Sequence, residues 1–410
     1  NGARDALRGG VIVQTILLTA GEGTRMRPLT ATRPKPMLPV GDRPLVAHTA
    51  DAAVEAGASR LVFVVGYEAE ELRAYFGEEY AGVPVEYAVQ EQQRGTADAV
   101  RAAESSLDAG PFVVLNGDDL YDPESLAALY EDTPAVGAYD VEDPRLYGVF
   151  DIEDGVVTRV VEKPDDPPST RVNVGAYAFP AEAQEWLDVP QSERGEHELT
   201  DVLAKVIAEY SVRAVDVQFW MGVGRPWELL EANEWFLDGI DRRLDGDVHP
   251  DAHLRGAVVV EAGATVDAGV VVEGPALVRS GASVGPNAYI RGKTVVGEGA
   301  KVGHSVEVKN SLLMAGATVG HLSYVGDSVL GRDVNFGAGT VVANLRHDDG
   351  NVRLRVKGEP TDTGRRKFGV VIADGVKTGI DTNLNAGVKL GTGAKTGPGE
   401  TVTRDIDTEY

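Results

Sequence analysis

The sequence predicts two domains of different architecture: an α/β domain with a mainly parallel, mixed sheet, and then a parallel β-solenoid. Over residues 13–244, short β-rich runs alternate with amphipathic stretches of helical periodicity, which is the pattern of βαβ units. From about residue 246 an apolar residue instead recurs every six positions, a period that fits neither a helix nor an ordinary strand. The length of 410 residues also exceeds that of one ordinary core.

Each segment of the first domain is defined by its periodicity. Strands are predicted at 15–19, 61–66, 85–89, 112–115, 135–138 and 172–179. Helices are predicted at 45–56, 68–76, 96–106 and 123–131. Residues 1–12 are aperiodic and contain Gly and Arg, so we expect a leader outside the fold, followed by domains at 13–245 and 246–410.

The hexad repeat defines the second domain. Its apolar positions run without a break through Val260, Val266, Val272, Val278, Val284, Ile290, Val296, Val302, Val308 and Met314. The register then slips, resumes through Val325, Leu330 and Phe336, and is interrupted by a charged segment at 343–367. It returns as Ile372, Thr378, Leu384, Leu390, Thr396 and Val402. A repeat of this length predicts a solenoid with one inward residue per short face.

Composition excludes several classes of function. The formal net charge of −25 opposes nonspecific binding to nucleic acid. No apolar run approaches the roughly 20 residues of a membrane helix, no signal peptide is visible, and cysteine is absent. We therefore expect a cytoplasmic protein without disulfides. Only 11 of the 39 basic residues are lysine, and this acidic, lysine-poor surface supports the hypothesis of a salt-adapted (halophilic) protein.

A glycine-rich turn follows the first predicted strand. Gly21 and Gly23 allow a ligand to approach the backbone closely, and Arg25 and Lys35 add two cations of the kind that bind a polyphosphate. The alternative is an ordinary strand–loop turn with incidental charges. The segment is not a dinucleotide-binding fingerprint, because Met26 occupies its third glycine position, and it lacks the Gly-Lys-Ser/Thr of a Walker loop.

The whole segment resembles the signature G-x-G-T-R-[LM]-x-P-L-T-x-x-x-P-K of the sugar-1-phosphate nucleotidylyltransferases. In that family the loop wraps the nucleotide phosphates, and the resemblance assigns this role to Ala20, Gly21, Gly23 and Thr24. It also implies that Arg25 and Lys35 stabilise charge while a sugar phosphate attacks the α-phosphorus and pyrophosphate leaves.

Further motifs of that family follow in order. Gln90, Gly95 and Thr96 form a polar segment between a strand and a helix. This segment is either a capped loop or, by resemblance, a site for a uridine or thymidine base. Asp118 ends a buried strand and matches the family's Mg²⁺ aspartate, although it could also only cap a turn, and Asp119 is interpreted as the turn residue.

Three short elements resemble the family's sugar contacts. They contain Gly148, Glu162 with Lys163, and Asn173. One departure follows: Gly222 occupies the position of the second metal aspartate, and Asp216 is the nearest carboxylate that could compensate. A missing carboxylate would weaken Mg²⁺ positioning.

The solenoid carries polar residues that its packing does not require. A histidine can deprotonate an amine during attack on a thioester, but a lone histidine such as His321 is more often a solvated surface residue. Its surroundings resemble the acetyltransferase half of the bifunctional glucosamine-1-phosphate N-acetyltransferase / N-acetylglucosamine-1-phosphate uridylyltransferase family, in its archaeal-type form. That resemblance makes His321 the general base and places Ala338 along the acetyl-CoA path. It assigns amino-sugar phosphate binding to Arg291, Lys309, Tyr324, Asn335 and Asn344. Arg291 and Lys309 are 18 residues apart, so they would stack on one face, one coil apart, if a coil spans about three hexads as the resemblance implies.

Together these resemblances imply a nucleotidyltransferase domain and a left-handed parallel β-helix that forms homotrimers. The expected substrates are acetyl-CoA, glucosamine-1-phosphate or galactosamine-1-phosphate, a sugar-1-phosphate, and UTP or dTTP with Mg²⁺. Two alternatives stay open. One is a glucose-1-phosphate thymidylyl- or uridylyltransferase with a purely structural solenoid. The other is a catalytically weakened scaffold that binds sugar nucleotides.

Overall fold

The computed structural model describes residues 13–66, 69–192 and 195–406, which form two compact units. The first unit comprises 13–22, Pro34–Met37 and Pro44–Gly222. The second comprises Gly23–Arg33, Leu38–Arg43 and the chain from Val223 onwards. The predicted leader at 1–12 lies outside the described residues, and the domain limits 13–245 and 246–410 stay predictions.

A mixed sheet of ten strands forms the centre of the first unit. Its four parallel neighbours, Phe112–Asn116, Gln14–Leu18, Arg60–Val65 and Val83–Val89, confirm the parallel pairing expected of βαβ units. The full order across the sheet is Gly148–Glu153, Val156–Glu162, Val212–Asp216, Ala135–Asp140, Arg171–Phe179, Phe112–Asn116, Gln14–Leu18, Arg60–Val65, Val83–Val89, Glu79–Tyr80. A smaller pair, Asp119–Tyr121 with Trp220–Gly222, lies antiparallel.

The described part of this unit contains five helices: α1 (Leu45–Ala56), α2 (Glu70–Phe76), α3 (Thr96–Ala102), α4 (Pro123–Glu131) and α5 (Leu199–Glu209). The predicted helix at 96–106 ends early, and a separate 3-10 turn follows at Glu104–Ser106. Two apolar clusters form the core: α1, α2 and α4 contribute to one, and α3 and α5 to the other. No helix in the described ranges is both long and apolar enough to span a membrane.

The second unit contains α6 (Pro226–Asp238) and a solenoid in which successive strands pass in turn through three parallel sheets. The first sheet is Arg243–Leu244, Val258–Val260, Ala276–Val278, Thr294–Val296, Leu312–Leu313, Val329–Leu330, Val371–Ile372, Lys389–Leu390. The second is Asp247–Val248, Thr265–Val266, Ser283–Val284, Lys301–Val302, Thr318–Val319, Asn335–Phe336. The third is His253–Arg255, Val271–Glu273, Tyr289–Arg291, Glu307–Lys309, Tyr324–Gly326, Val341–Val342, Asn383–Leu384, Thr401–Val402.

Most hexad positions lie in the solenoid core, but Thr396 is only half-buried and Met314 requires a correction. Leu313, and not Met314, pairs with Val296 and joins the apolar cluster. The register therefore slips before residue 314, because one coil is a residue shorter than its predecessors. The charged interruption contains an antiparallel hairpin of Arg353–Val356 and Glu359–Asp362, which we call the insertion hairpin. Two further short strands are Pro39–Val40 and Arg43–Pro44.

Candidate active sites

In the first unit the chain leaves the central strand Gln14–Leu18 and enters the segment Ala20–Glu22. Gly21 is exposed and has no atom within 4 Å of the position its Cβ would take. Gln93 braces this segment: its Nε2 donates to the Ala20 carbonyl at 2.5 Å, and its Oε1 accepts the Glu22 N–H at 3.3 Å. Gln93 was not among the predicted site residues, and no sequence signal distinguishes it from the neighbouring glutamines.

Lys35 and Asp118 are brought together in this unit. The Lys35 Nζ forms an ion pair with the Asp118 carboxylate. The Lys35 side chain is 9% exposed and that of Asp118 is 32% exposed. Asp118 lies in the turn after the strand Phe112–Asn116, at the carboxyl end of a parallel strand where ligands of open α/β sheets bind. The Asp118 carboxylate therefore remains partly open to solvent, whereas the Lys35 amine is nearly buried.

The interpretation of Asp119 as a turn residue is wrong. Asp119 begins a strand, is buried, and accepts hydrogen bonds from Asn116 Nδ2 and Trp220 Nε1, each at 3.1 Å. Burial, reinforced by the charge of Asp118, raises the pKa of Asp119 to about 7. The sequence does not predict the burial of Asp119, because a Gly-Asp-Asp run does not reveal which carboxylate points inward.

Gly222, the predicted departure from the family motif, lies directly opposite Asp119. The two residues are register partners, and a Cβ on Gly222 would lie 3.3 Å from Asp119 Oδ1. Asp216, by contrast, forms an ion pair with Arg171, which also donates to Asp140 at 3.0 Å. The carboxylate that lies next to Gly222 is therefore that of Asp119, whereas the Asp216 carboxylate is paired with Arg171.

The predicted base-recognition residues lie at the start of α3. Gln90 is buried, and its Nε2 donates to the Gly95 carbonyl at 3.2 Å and to Asp98 Oδ2 at 3.0 Å. Its Oε1 is therefore the atom left to accept a hydrogen bond. Gly95 has φ of 123°, and a Cβ there would overlap the His197 backbone. The Thr96 hydroxyl accepts the Leu199 N–H at 2.9 Å, so it ties α3 to the start of α5.

The predicted sugar contacts converge on one edge of the sheet. Gly148 and Glu162 are antiparallel register partners. A Cβ on Gly148 would lie 3.0 Å from Glu162 Oε2 and 3.4 Å from the Asn173 Cβ. Asn173 Nδ2 donates to the Tyr177 hydroxyl at 2.7 Å, and Lys163 lies 3.5 Å from Glu162. Glycine at 148 therefore lets the Glu162 carboxylate and Asn173 lie close together beside the backbone.

The second half of the glycine-rich signature belongs to the second unit. Gly23 adopts a left-handed conformation with φ of 62°, and its carbonyl accepts the Thr30 hydroxyl at 2.9 Å. Thr24 opens the 3-10 turn Thr24–Met26, and Arg25 is exposed. A Cβ on Gly224 would lie 3.3 Å from an Arg25 guanidinium nitrogen. Glycine at 224 therefore keeps space beside that guanidinium.

A polar cluster lies on the third sheet of the solenoid. Arg291 and Lys309 are register partners one coil apart, as their spacing predicts. Lys309 Nζ donates to Asp327 Oδ2 at 2.7 Å, and Asn344 Nδ2 reaches the same oxygen at 2.5 Å and the Tyr324 hydroxyl at 3.2 Å. Asp327 was not among the predicted site residues, although it directly follows Gly326 in the motif around His321.

Each cation of this cluster already has a carboxylate partner. Arg291 pairs with Glu307 at 2.7 Å, as Lys309 does with Asp327. Burial, with the nearby charges of Asp327 and Glu307, raises the pKa of Tyr324, so its hydroxyl stays protonated and can donate.

His321, Asn335 and Ala338 lie on a different part of the coil. His321 is exposed at the corner that leads into the strand Tyr324–Gly326, and its carbonyl accepts the Gly339 N–H at 2.9 Å. Ala338 is half-buried on the next coil, and Asn335 is exposed on the second sheet. Within one chain, these three residues therefore lie at or before a corner of the coil. The Lys309 cluster lies on the sheet that follows that corner.

Comparison with known proteins identifies the family. Residues 14–239 match the nucleotidyl transferase model, and residues 272–390 match the GMPPB C-terminal domain model. The chain is 40% identical over 407 residues to the bifunctional protein GlmU of Methanococcus vannielii, covering 97% of this chain and 96% of that protein. The chain belongs to this bifunctional family. It is an enzyme with a nucleotidylyltransferase half and an acetyltransferase half.

Two further similarities agree. The bifunctional sugar-1-phosphate nucleotidylyltransferase/acetyltransferase of Sulfurisphaera tokodaii is 35% identical over 403 residues, covering 96% of this chain and 98% of that protein. A crystal structure of UDP-glucose pyrophosphorylase complexed with UDP-glucose matches with a TM-score of 0.52 and 27% identity, covering 56% of this chain and 99% of that one. The first similarity extends over nearly the whole chain, and the second over about half of it.

Proposed function

We propose that the chain transfers acetyl from acetyl-CoA to glucosamine-1-phosphate, and couples the resulting N-acetylglucosamine-1-phosphate to UTP or dTTP. The observation that supports this most directly is that each unit holds its own charged cluster from the family's motifs: Lys35 with Asp118 in the first, and Lys309 with Asp327 and Asn344 in the second. From the family resemblance we also infer a left-handed coil and a homotrimer whose acetyltransferase sites lie between neighbouring subunits.

In acetyl transfer, the amino group of the sugar attacks the thioester carbonyl. A new C–N bond forms, the C–S bond breaks, and the thiol of CoA leaves. We assign the removal of the amine proton to His321, whose exposed ring is open to a substrate, because histidine is the side chain that most often serves as a general base. Arg291 and Lys309 would hold the sugar phosphate, with Tyr324, Asn335 and Asn344 as hydrogen-bonding partners and Ala338 along the acetyl-CoA path.

In nucleotidylyl transfer, a phosphate oxygen of the sugar phosphate attacks the α-phosphorus, and the bond to pyrophosphate breaks. Lys35 and Arg25 would stabilise the charge on the phosphates. We assign nucleotide binding to Ala20, Gly21, Gly23, Thr24, Gln90, Gly95 and Thr96. We assign sugar binding to Gly148, Glu162, Lys163 and Asn173.

The residues at Asp118 fit Mg²⁺, since this ion commonly takes one or two protein carboxylates and completes its shell with water and substrate phosphates. Asp118 would hold the ion through its partly exposed carboxylate. The ion would supply charge neutralisation between phosphate oxygens. Asp119 is buried opposite Gly222, so we propose it, in place of Asp216, as the second carboxylate.

Gly222 supports a second candidate function, a scaffold that binds sugar nucleotides with weakened nucleotidylyl transfer. Parallel assays separate the candidates: pyrophosphate release with UTP or dTTP and several sugar-1-phosphates, and CoA release with glucosamine- or galactosamine-1-phosphate. Turnover in both assays is expected. Pyrophosphate release with glucose-1-phosphate and no CoA release would favour a structural solenoid. Absence of product release in both assays would favour the scaffold.

A further inference from the structure

A large cationic cavity lies within the second unit, apart from the Lys309 cluster. Its volume is about 1140 Å³, which is slightly larger than that of a typical small-molecule site. Seven of its lining side chains are Arg or Lys, and Asp405 is the single carboxylate among them. Such a concentration of positive charge is unexpected in a chain whose formal net charge is −25.

The insertion hairpin supplies three of these cations. Arg353 and Arg355 are two residues apart on one strand, so they share a face, while Leu354 between them is buried. Lys357 follows at the turn, with φ of 49°. Within the described chain, neither Arg353 nor Lys357 forms an ion pair, and the Arg355 guanidinium donates only to the Gly358 carbonyl. Like charges on one face repel one another unless an anion lies between them.

The solenoid supplies a buried amine and a further arginine. Lys389 is 7% exposed, and its Nζ donates to the Arg355 carbonyl at 2.5 Å. Burial lowers the pKa of Lys389, an effect that Asp405 opposes. Arg404 is exposed and, among the described residues, has no ion-pair partner. An anion in the cavity would favour the charged form of Lys389 and meet donors from two sides.

Arg25 and Arg27, from the Gly23–Arg33 segment of the same unit, complete the cationic lining. We propose that this cavity is a binding site for a polyphosphate chain, either free or carried by a nucleotide. A single phosphate would engage only part of so broad a surface, whereas several linked phosphates offer each guanidinium a bidentate partner. Its link to Arg25 rests on the function proposed above, but the solenoid cations are independent of that function.

The test uses the full chain and inorganic tripolyphosphate as the probe, titrated by calorimetry at fixed salt. The variant combines Arg355→Ser, Lys357→Asn and Arg404→Ser, with asparagine chosen for the left-handed turn. A control triple of equal charge, Arg159→Ser, Lys301→Ser and Lys395→Ser, removes exposed cations outside the cavity. Circular dichroism checks both folds, and Lys357→Asn alone serves if the triple variant is misfolded.

The cavity variant is expected to bind tripolyphosphate on the order of 100-fold more weakly, since each exposed charge contact contributes up to about fivefold. The control should bind as the wild type does. If the cavity variant loses as much affinity for UTP as for tripolyphosphate, the phosphate chain is the recognised group. A larger loss of affinity for UTP would identify a nucleotide as the ligand. Unchanged binding in the cavity variant, together with lost binding in Lys35→Met, would overturn this proposal and leave the proposed function intact.

Discussion

Replacement of Gly95 by alanine tests the base-recognition segment through backbone geometry alone. The residue has φ of 123° and ψ of 176°, a region that is essentially restricted to glycine. A Cβ there would lie 2.7 Å from the His197 nitrogen and closer still to its carbonyl oxygen. Neither neighbour is the flexible end of a side chain, so the backbone of one segment must move.

The size of the effect follows from that overlap. The strained conformation costs about 1–3 kcal/mol, and the overlap requires a shift of roughly 1 Å, enough to reduce a rate about 100-fold when it misplaces a binding group. Gln90 would lose its position too, because it donates to the Gly95 carbonyl. We therefore expect Gly95→Ala to lower the kcat/KM of nucleotidylyl transfer about 100-fold and to leave acetyl transfer unchanged.

Pyrophosphate release and CoA release, measured on the same preparation, provide the assay. Gly82→Ala is the matched control: its φ is 83°, and no atom lies within 4 Å of the added Cβ. It carries the conformational strain without the overlap. Wild-type nucleotidylyl transfer in Gly95→Ala would refute the reasoning, as would an equal loss in both variants.

The other predictions concern charge and proton transfer. Lys35→Met should lower nucleotidylyl transfer about 10²- to 10³-fold through loss of a cation at the phosphates, measured as pyrophosphate release. His321→Gln should lower acetyl transfer about 10²- to 10⁴-fold through loss of the base, measured as CoA release. Asp327→Asn should reduce the free energy of unfolding by about 2 kcal/mol, because a nearly buried lysine loses its charged partner, measured by denaturant titration. Dilution from high to low salt should unfold the chain by restoring self-repulsion among its acidic groups, measured by circular dichroism.

Matched variants separate these effects from general damage. His304→Gln removes another exposed histidine and should preserve CoA release. Asp333→Asn replaces an exposed aspartate with nearly the same backbone φ as Asp327 and should leave stability within about 0.5 kcal/mol. A wild-type rate of CoA release in His321→Gln would contradict its role as base. Full structure at low ionic strength would contradict salt adaptation.

Periodicity predicted the two architectures because both rest on local, repeated burial. Helix Leu45–Ala56 has the predicted bounds, since its apolar face and the following Gly57 mark both its course and its end. Met314 was assigned wrongly because Leu312, Leu313 and Met314 are all apolar, and only strand pairing selects Leu313 as the inward residue. The order of strands in the mixed sheet depends on pairing between segments that are distant in sequence. Periodicity within a segment does not reveal which other segment it pairs with.

The site residues were predictable where a motif fixes the residue types. They were less predictable where the role of a residue depends on whether its side chain is buried. The pairing of Arg291 with Lys309 followed from their spacing once the coil length was assumed. The burial of Asp119 did not follow, because its environment is made by Trp220, which is distant in sequence. Asp327 was overlooked for a similar reason: its contacts with Lys309 and Asn344 come from neighbouring coils.

The most direct test of two separate activities on one chain is product analysis with glucosamine-1-phosphate, acetyl-CoA, UTP and Mg²⁺. Wild-type protein should form the UDP-linked N-acetylated sugar. Lys35→Met should accumulate N-acetylglucosamine-1-phosphate, His321→Gln should leave glucosamine-1-phosphate unacetylated, and a mixture of the two variants should restore the final product. Failure of the mixture, with each variant retaining its unaltered activity when assayed alone, would contradict independent sites. Absence of acetylation by the wild type would contradict the bifunctional assignment itself.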